Sequence, residues 1–301
     1  MKIVVSGGMG YIGRVLVPML VGDGHYVVVV DNFRYRQVND LMESESCQVI
    51  EGDVRYITIR GYDVYIPLAG LVGAPMCAKN EKEASDVNIG HIRDFLYNRG
   101  DTKIIYPTTN SGYGSGICTE DSPMNPVSLY GQQKVSAEKM ILDAGNSVTL
   151  RLATVFGVSP CMRGDLLVNW LVLQACKMER AAMSGMEIKA VDLYESHFTR
   201  NYVHVKDVAS VICAVVKDFD RFSGNCYNFG LSDANLSKRE LCQEIQKVVP
   251  SFRFKEISGV ADPDQRNYIV RNDKIEAMGF RATRGLEEGI GELVEYYRGR
   301  I

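Results

Sequence analysis

The stretch Ile3-Val4-Val5-Ser6-Gly7-Gly8-Met9-Gly10-Tyr11-Ile12-Gly13 joins a β-branched run to a glycine-rich turn and the opening of a helix. Gly7, Gly10 and Gly13 fit G-x-x-G-x-x-G. Glycines there permit the tight turn and let an anion approach the backbone N–H groups of a helix N-terminus. The next β-branched run, Tyr26 to Val30, ends in Asp31, 18 residues after Gly13. A carboxylate at that place accepts both hydroxyls of a ribose and repels a 2′-phosphate. The reading is therefore a dinucleotide site for NAD rather than NADP, with Arg34 and Arg36 as nearby cations that weigh the other way. Asp53, at the end of a third strand, is placed to reach the adenine or simply to close a turn.

Outward from that loop, apolar runs alternate with helical stretches. Gln48-Val49-Ile50, Asp63-Val64-Tyr65-Ile66, Lys103-Ile104-Ile105-Tyr106 and Val148-Thr149-Leu150 each read as strands buried on both faces, as in a parallel sheet. Strands alternating with helices give an α/β, Rossmann-type doubly wound parallel sheet over residues 1–155, completed by parts of 186–225. Residues 156–301 read as a smaller mixed α/β lobe, interleaved with the first. There, helices are expected over Asp165–Glu179, Asp207–Val216, from Ser237 to Val249 behind a capping box with Glu240, and over Leu286–Tyr297. Pro18 is expected to kink or shorten the first helix.

The 301 residues carry 34 Lys and Arg against 37 Asp and Glu, a net charge of −3, with 46% hydrophobic residues. These values exclude a disordered or fibrous chain and argue against nucleic acid as a partner. Nothing approaches the ~18 apolar residues of a membrane span, and the first residues lack a leader's pattern. Eight Cys without C-x-x-C spacing and four His without H-x₃-H make a metal site unexpected and point to reduced thiols. The chain is expected to be cytoplasmic.

Tyr130 and Lys134 stand i, i+4 at the start of a helical stretch and share a face. An ammonium beside a phenol favours the phenolate, and a poised tyrosinate takes a proton from a sugar hydroxyl while hydride leaves the same carbon. Thr109, in Pro107-Thr108-Thr109-Asn110-Ser111-Gly112-Tyr113-Gly114, is placed to share that proton. Together with Gly52-Asp53-Val54, Pro67-Leu68-Ala69-Gly70, Asp86-Val87-Asn88, Leu129-Tyr130-Gly131, the run Arg200 to Ala209 and Tyr227-Asn228-Phe229-Gly230, these residues resemble the extended short-chain dehydrogenase/reductases, the NAD-dependent nucleotide-sugar epimerases and dehydratases, over essentially the whole chain. The resemblance implies Thr109, Tyr130 and Lys134 as catalytic residues. It implies a cofactor site of Gly7, Gly10, Tyr11, Ile12, Gly13, Asp31, Asn32, Asp53, Val54, Leu68, Ala69, Gly70, Asn88, Tyr130, Lys134 and Ala153. It also implies a homodimer through helices near Glu81–Arg99 and Tyr130–Asp143; the apolar positions Val135, Met140, Ile141 and Leu142 do not by themselves establish one.

Finer likeness lies in Leu150 to Pro160, Met162-Arg163, Asp165 to Asn169, and Asp262-Pro263-Asp264-Gln265-Arg266-Asn267-Tyr268. These look like a branch that includes enzymes resembling the GDP-heptose 4-dehydrogenases of capsule polysaccharide biosynthesis, which implies oxidation at sugar C4. The chain departs from relatives at Cys161, commonly Arg, and at Thr154, Asn in many epimerases. Where 4,6-dehydratases resemble Thr-Asp-Glu it has Thr109-Asn110-Ser111, which supplies no acid for a departing hydroxyl. Arginine suits a nucleoside diphosphate because its planar donors bind in pairs. Arg163, Arg200 and Arg266 are therefore candidate substrate residues, with Thr109, Asn110 and Asn169. The same residues serve a 4-epimerase that regenerates NAD. A non-catalytic NAD-binding regulator is the remaining alternative, and the presence of Thr109, Tyr130 and Lys134 speaks against it. Cys77 and His204 are read as packing residues rather than catalysts.

Overall fold

A computed structural model describes residues 1–35, 44–258 and 266–301. Arg36 and the segment Asp262–Gln265 lie outside the described residues. Seven strands form the main sheet: β1 (Lys2–Ser6), β2 (Tyr26–Asp31), β3 (Cys47–Glu51), β4 (Val64–Pro67), β5 (Lys103–Thr109), β6 (Ser147–Leu152) and β7 (Asn225–Phe229). Their order in space is β7-β6-β5-β4-β1-β2-β3, with every pair parallel. The continuous apolar runs follow from burial on both faces. Ile3 and Val5 join one core cluster and Val4 the other, so β1 feeds alternate side chains to opposite layers.

The helices that matter for the site are α1 (Gly13–Gly22), α2 (His91–Asn98), α3 (Leu129–Asp143), α4 (Leu167–Met183), α5 (Val205–Lys217), α6 (Lys238–Val248) and α7 (Leu286–Arg298). Pro18 neither breaks nor shortens α1; its ring sits on the exposed side. The capping box at α6 forms as expected, Ser237 and Glu240 each bonding the other's backbone. α4 begins at Leu167 rather than Asp165, whose carboxylate is held by Arg163 outside the helix. Chain order reverses at β1, whose neighbours are β2 and β4, and the crevice opens beyond the strand ends there.

The last strand of the sheet, β7, starts where the expected completing segment ends, so the sheet reaches Phe229 rather than 225. Beside it stand three small sheets. Thr154–Phe156, Thr199–His204 and Asn235–Ser237 form one, and Val191–Tyr194 with Phe254–Ile257 another. In the third, Ser115–Cys118 pairs with Asn267–Val270, which carries a piece of the first 155 residues over to the C-terminal lobe. That pairing leaves no trace in local periodicity.

One buried ionic network braces α3 against the sheet. The Arg151 guanidinium donates from Nε and Nη2 to Glu138 Oε1 at 2.9 and 2.6 Å, and from Nη1 to the Tyr113 hydroxyl at 2.8 Å. Tyr113 in turn donates to Asn228 Oδ1 on β7 at 2.6 Å.

Candidate active site

The glycine loop closes on the turn after β4. A Cβ on Gly7 would lie 2.5 Å from the Ala69 nitrogen, and one on Gly13 only 2.4 Å from the Gly8 carbonyl oxygen. Gly7 also has φ +71°, which a side chain would strain. No side chain caps α1 and no carboxylate occupies its first turn, which suits a pyrophosphate at the glycine loop ahead of it, while the Arg14 and Val15 N–H groups bond back to Gly10 O and Ile12 O at 3.0 Å. Asp31 is buried at the end of β2. Its Oδ2 accepts the Met9 N–H at 3.1 Å and its Oδ1 the Phe33 N–H at 2.9 Å, and the carboxylate stands where ribose hydroxyls are expected. Burial raises its pKa, and the backbone N–H groups of Phe33, Met9 and Asn32 oppose that rise. Two nearby arginines are paired: Arg34 with Glu83, and Arg55 by a two-point bond to Asp53 at 3.0 and 2.6 Å. The residues thus fit NAD without a 2′-phosphate. Asp53 contributes as the anchor of Arg55, and Asn32, exposed, as the acceptor for the Arg34 N–H. Val54, Leu68, Ala69 and Gly70 line the adjoining strand ends.

Two expected cofactor residues have another task. Asn88 is 4% exposed, and its amide is spent on protein. Oδ1 accepts from Leu71 N at 2.9 Å, while Nδ2 donates to Leu71 O at 3.0 Å and Gln133 Oε1 at 2.8 Å. It lies in a π-helical turn, Asp86–Gly90, from which that side chain reaches the β4 turn. Asn88 therefore shapes the cofactor crevice from behind. The Tyr11 hydroxyl donates to Gly157 O at 2.6 Å, and Ser159 Oγ donates to Tyr11 O at 2.7 Å, so the side chain clips the glycine loop to the second lobe. Ile12 packs against the core, and Ala153 is buried, its N–H donating to Phe229 O at 2.9 Å.

Tyr130 opens α3 behind the Ser128 cap, which accepts from Gly131 N at 3.2 Å. Burial pushes its phenol up to about 12, drawn back by the charges of Arg266 and, more weakly, Arg163. Lys134 shares the face, as the spacing requires, but its ammonium does not lie against the phenol as its leading charge. Nζ donates to Pro107 O at 2.9 Å and sits 4.1 Å from the centroid of the Tyr106 ring. Burial brings it down to about 7, against the pull of Glu138. The expected depression of the Tyr130 pKa by Lys134 is thus absent here: desolvation wins, and Arg266 is the strongest cation acting on the phenol. Thr109 ends β5, and its Oγ1 is 2.9 Å from Ser111 Oγ and accepts the Ser111 N–H at 3.1 Å. Arg266 donates to Ser111 Oγ. Thr109, Ser111 and Arg266 are so brought together by contact, with Arg266 and Arg163 within electrostatic reach of Tyr130.

Asn110 is fully buried beside Thr109, and neither its Nδ2 nor its Oδ1 has a protein partner. That suits a substrate-facing amide, because buried polar atoms normally find partners. Arg200 is buried, donates to Thr199 O at 3.0 Å and stacks 5.6 Å from the Tyr268 ring centroid. The Arg163 fork is occupied by Asp165. Asn169 is engaged within the protein. Its Nδ2 donates to Arg163 O at 2.9 Å and the Tyr11 hydroxyl at 3.2 Å, and its Oδ1 accepts Gly157 N at 3.0 Å, so it is a fully bonded strut. The Cys77 thiol is fully buried, donates to Leu71 O and is pushed up by burial, as suits packing. His204 is likewise buried, accepting Lys206 N on Nδ1 at 3.2 Å as the cap of α5.

Comparison with known proteins now bears on the site. The NAD dependent epimerase/dehydratase family matches residues 3–230. The chain belongs to this family. It is 26% identical to the UDP-glucose 4-epimerase of Corynebacterium glutamicum over 269 residues, 81% of this chain and 80% of that protein. It is 24% identical to UDP-glucuronic acid decarboxylase 1 of Arabidopsis thaliana, over 100% of this chain and 71% of that one. Among solved structures, MoeE5 in complex with UDP-glucuronic acid and NAD superposes with a TM-score of 0.82 at 25% identity, covering 100% of both chains. The NAD-dependent, nucleotide-sugar character of the family agrees with the cofactor crevice described above, and the Rossmann-type sheet is common to these structures.

Proposed function

We propose that this enzyme oxidises C4 of a nucleotide-diphosphate sugar, giving a 4-keto sugar nucleotide. The carrying observation is the cluster at the end of β5 and the start of α3: Thr109, Tyr130 and Lys134 beside Arg266. Bound NAD supplies the hydride acceptor. Tyr130 takes the proton of the C4 hydroxyl, Thr109 hydrogen-bonds the same oxygen, and Lys134 holds the end of β5 through Pro107 O. Arg200 and Arg266 hold the diphosphate. Arg163 joins them once it leaves Asp165. Within this reading the sugar is a GDP-heptose, supported by the likeness of the Leu150–Asn169 and Asp262–Tyr268 segments, and the enzyme serves capsule polysaccharide biosynthesis in the cytoplasm as a homodimer. A second reading, 4-epimerisation, is favoured by relatives named UDP-glucose 4-epimerase. The neutral pair Asn110 and Ser111 speaks against dehydration, which needs an acid at a departing hydroxyl.

The test is a panel of GDP-, UDP-, dTDP- and CDP-sugars, heptoses included, incubated with protein and NAD⁺. The reduced-nicotinamide absorbance and sugar NMR are followed together. Reduced cofactor accumulating with one sugar supports the dehydrogenase, and a new epimer without net NADH supports the epimerase. Tyr130→Phe is expected to lower turnover by about 10²–10⁴-fold. Unchanged turnover in that variant removes the mechanism.

A further inference from the structure

Ser111 stands between a cation and the threonine of the site. Its Oγ receives an N–H from Arg266 and lies 2.9 Å from Thr109 Oγ1, and its own backbone N–H donates to the same Oγ1 at 3.1 Å. Ser111 is 2% exposed, so no bulk water competes for these bonds. A guanidinium has donors only, so Ser111 Oγ is the acceptor in that contact. The positive charge at the serine oxygen turns the O–H dipole with its proton away, and Thr109 Oγ1 is the acceptor on that side. Thr109 then accepts two hydrogen bonds from Ser111, one from N–H and one from O–H. A hydroxyl oxygen has two lone pairs, and both are used. The remaining hydrogen-bonding capacity of Thr109 is its own proton, which is free to be donated into the site.

We propose that Ser111, backed by Arg266, is a positioning residue that fixes Thr109 as a donor toward the reacting oxygen. Resting on the oxidation proposed above, this gives Thr109 one direction of action. As the sugar oxygen loses its proton to Tyr130, Thr109 donates to the oxygen on which negative charge develops, and it does not compete for the proton. The chain of donors runs Arg266 to Ser111 to Thr109 to substrate, each step polarising the next. No bond is made or broken in these residues, and the only proton transferred is the one that Tyr130 takes. The arrangement also separates two tasks that neighbouring residues could confuse. Asn110, with both amide atoms unpartnered, suits a group that can both donate and accept, whereas Ser111 turns inward to Thr109.

Two measurements test it. A neutron structure of the perdeuterated protein, which needs no substrate, is expected to show the Ser111 deuteron directed at Thr109 Oγ1 and the Thr109 deuteron directed away from Ser111. A Thr109 deuteron shared with Ser111 Oγ overturns the proposal. In kinetics with a sugar that the panel shows to be turned over, Ser111→Ala is expected to lower kcat by about 10- to 100-fold, the range for a hydrogen bond to a developing charge. KM is expected to stay within about twofold, and Ser111→Thr, which keeps the hydroxyl, to recover most of the loss. A KM effect alone, or a Ser111→Thr variant as poor as Ser111→Ala at equal thermal stability, makes Ser111 a packing residue and refutes the assignment. If no sugar in the panel reacts, the proposed oxidation fails, while the deuteron positions still decide the role of Ser111.

Discussion

Lys134 carries a burial cost that the fold has to meet. It is held at about 7 by burial, against an ordinary value of 10.5. Between those limits the unfolded chain binds the proton and the folded chain does not, so this group makes stability rise with pH from about 7 toward 10.5. Below 7 both states are charged and the burial penalty stands in full. Lys134→Met is therefore expected to raise the melting temperature at pH 7 by about 2–5 °C and to flatten the alkaline rise, while turnover collapses. Calorimetry at pH 6, 7 and 9 measures this; an equal or lower melting point with the slope intact contradicts it. That Tyr130 and Lys134 share a helix face was legible from their i, i+4 spacing; the role proposed for them rests on the family resemblance. The electrostatics of the pair were not legible, because the cation that acts most on Tyr130 comes from Arg266, 136 residues away in the chain.

At the scale of the element, the π-helical turn Asp86–Gly90 inserts the Asn88 amide between the turn after β4 and α3, through Leu71 and Gln133. Asn88→Ala leaves the Leu71 N–H buried without its partner and the Leu71 C=O with only the weak Cys77 thiol donor. The expected loss is about 2–4 kcal/mol of unfolding free energy in urea titration, with weaker NAD binding in the same variant. Loss of stability with unaltered NAD affinity would make Asn88 a brace for α3 alone. Strands, the glycine loop and the α6 capping box could be read from the chain because each is written in neighbouring residues. Asn88, Tyr11 and Asn169 carry no such mark. Each is a polar side chain whose partners lie in other elements, and only the folded arrangement shows the bonds spent within the protein.

For the whole molecule, the proposed homodimer would use the faces of α2 and α3. Ile141 drops out of that surface, being fully buried in the core, while Val135, Met140 and Leu142 stay partly accessible and Tyr97 on α2 is 90% exposed. Light scattering at micromolar concentration is expected to give twice the chain mass of 33.5 kDa. A monomer mass removes the dimer. The described helices include none long and apolar enough to cross a membrane. The interleaving of the lobes was expected from the lack of a linker, but the pairing of Ser115–Cys118 with Asn267–Val270 was not. Sequence periodicity identifies strands, yet it does not say which distant strand will be their neighbour.

The position of β7 has a consequence for how the protein is made. β6 ends at residue 152 and its outer neighbour ends at 229. A ribosome adding about 5–20 residues per second takes about 4–15 s over the intervening 77 residues. Throughout that time the nascent sheet presents β6 as an open edge, although all six of its residues are destined for burial. Unpaired apolar edges recruit other strands. The cofactor-binding half is thus vulnerable to aggregation during synthesis, and that vulnerability ends only when the chain returns from the second lobe to lay down its final strand.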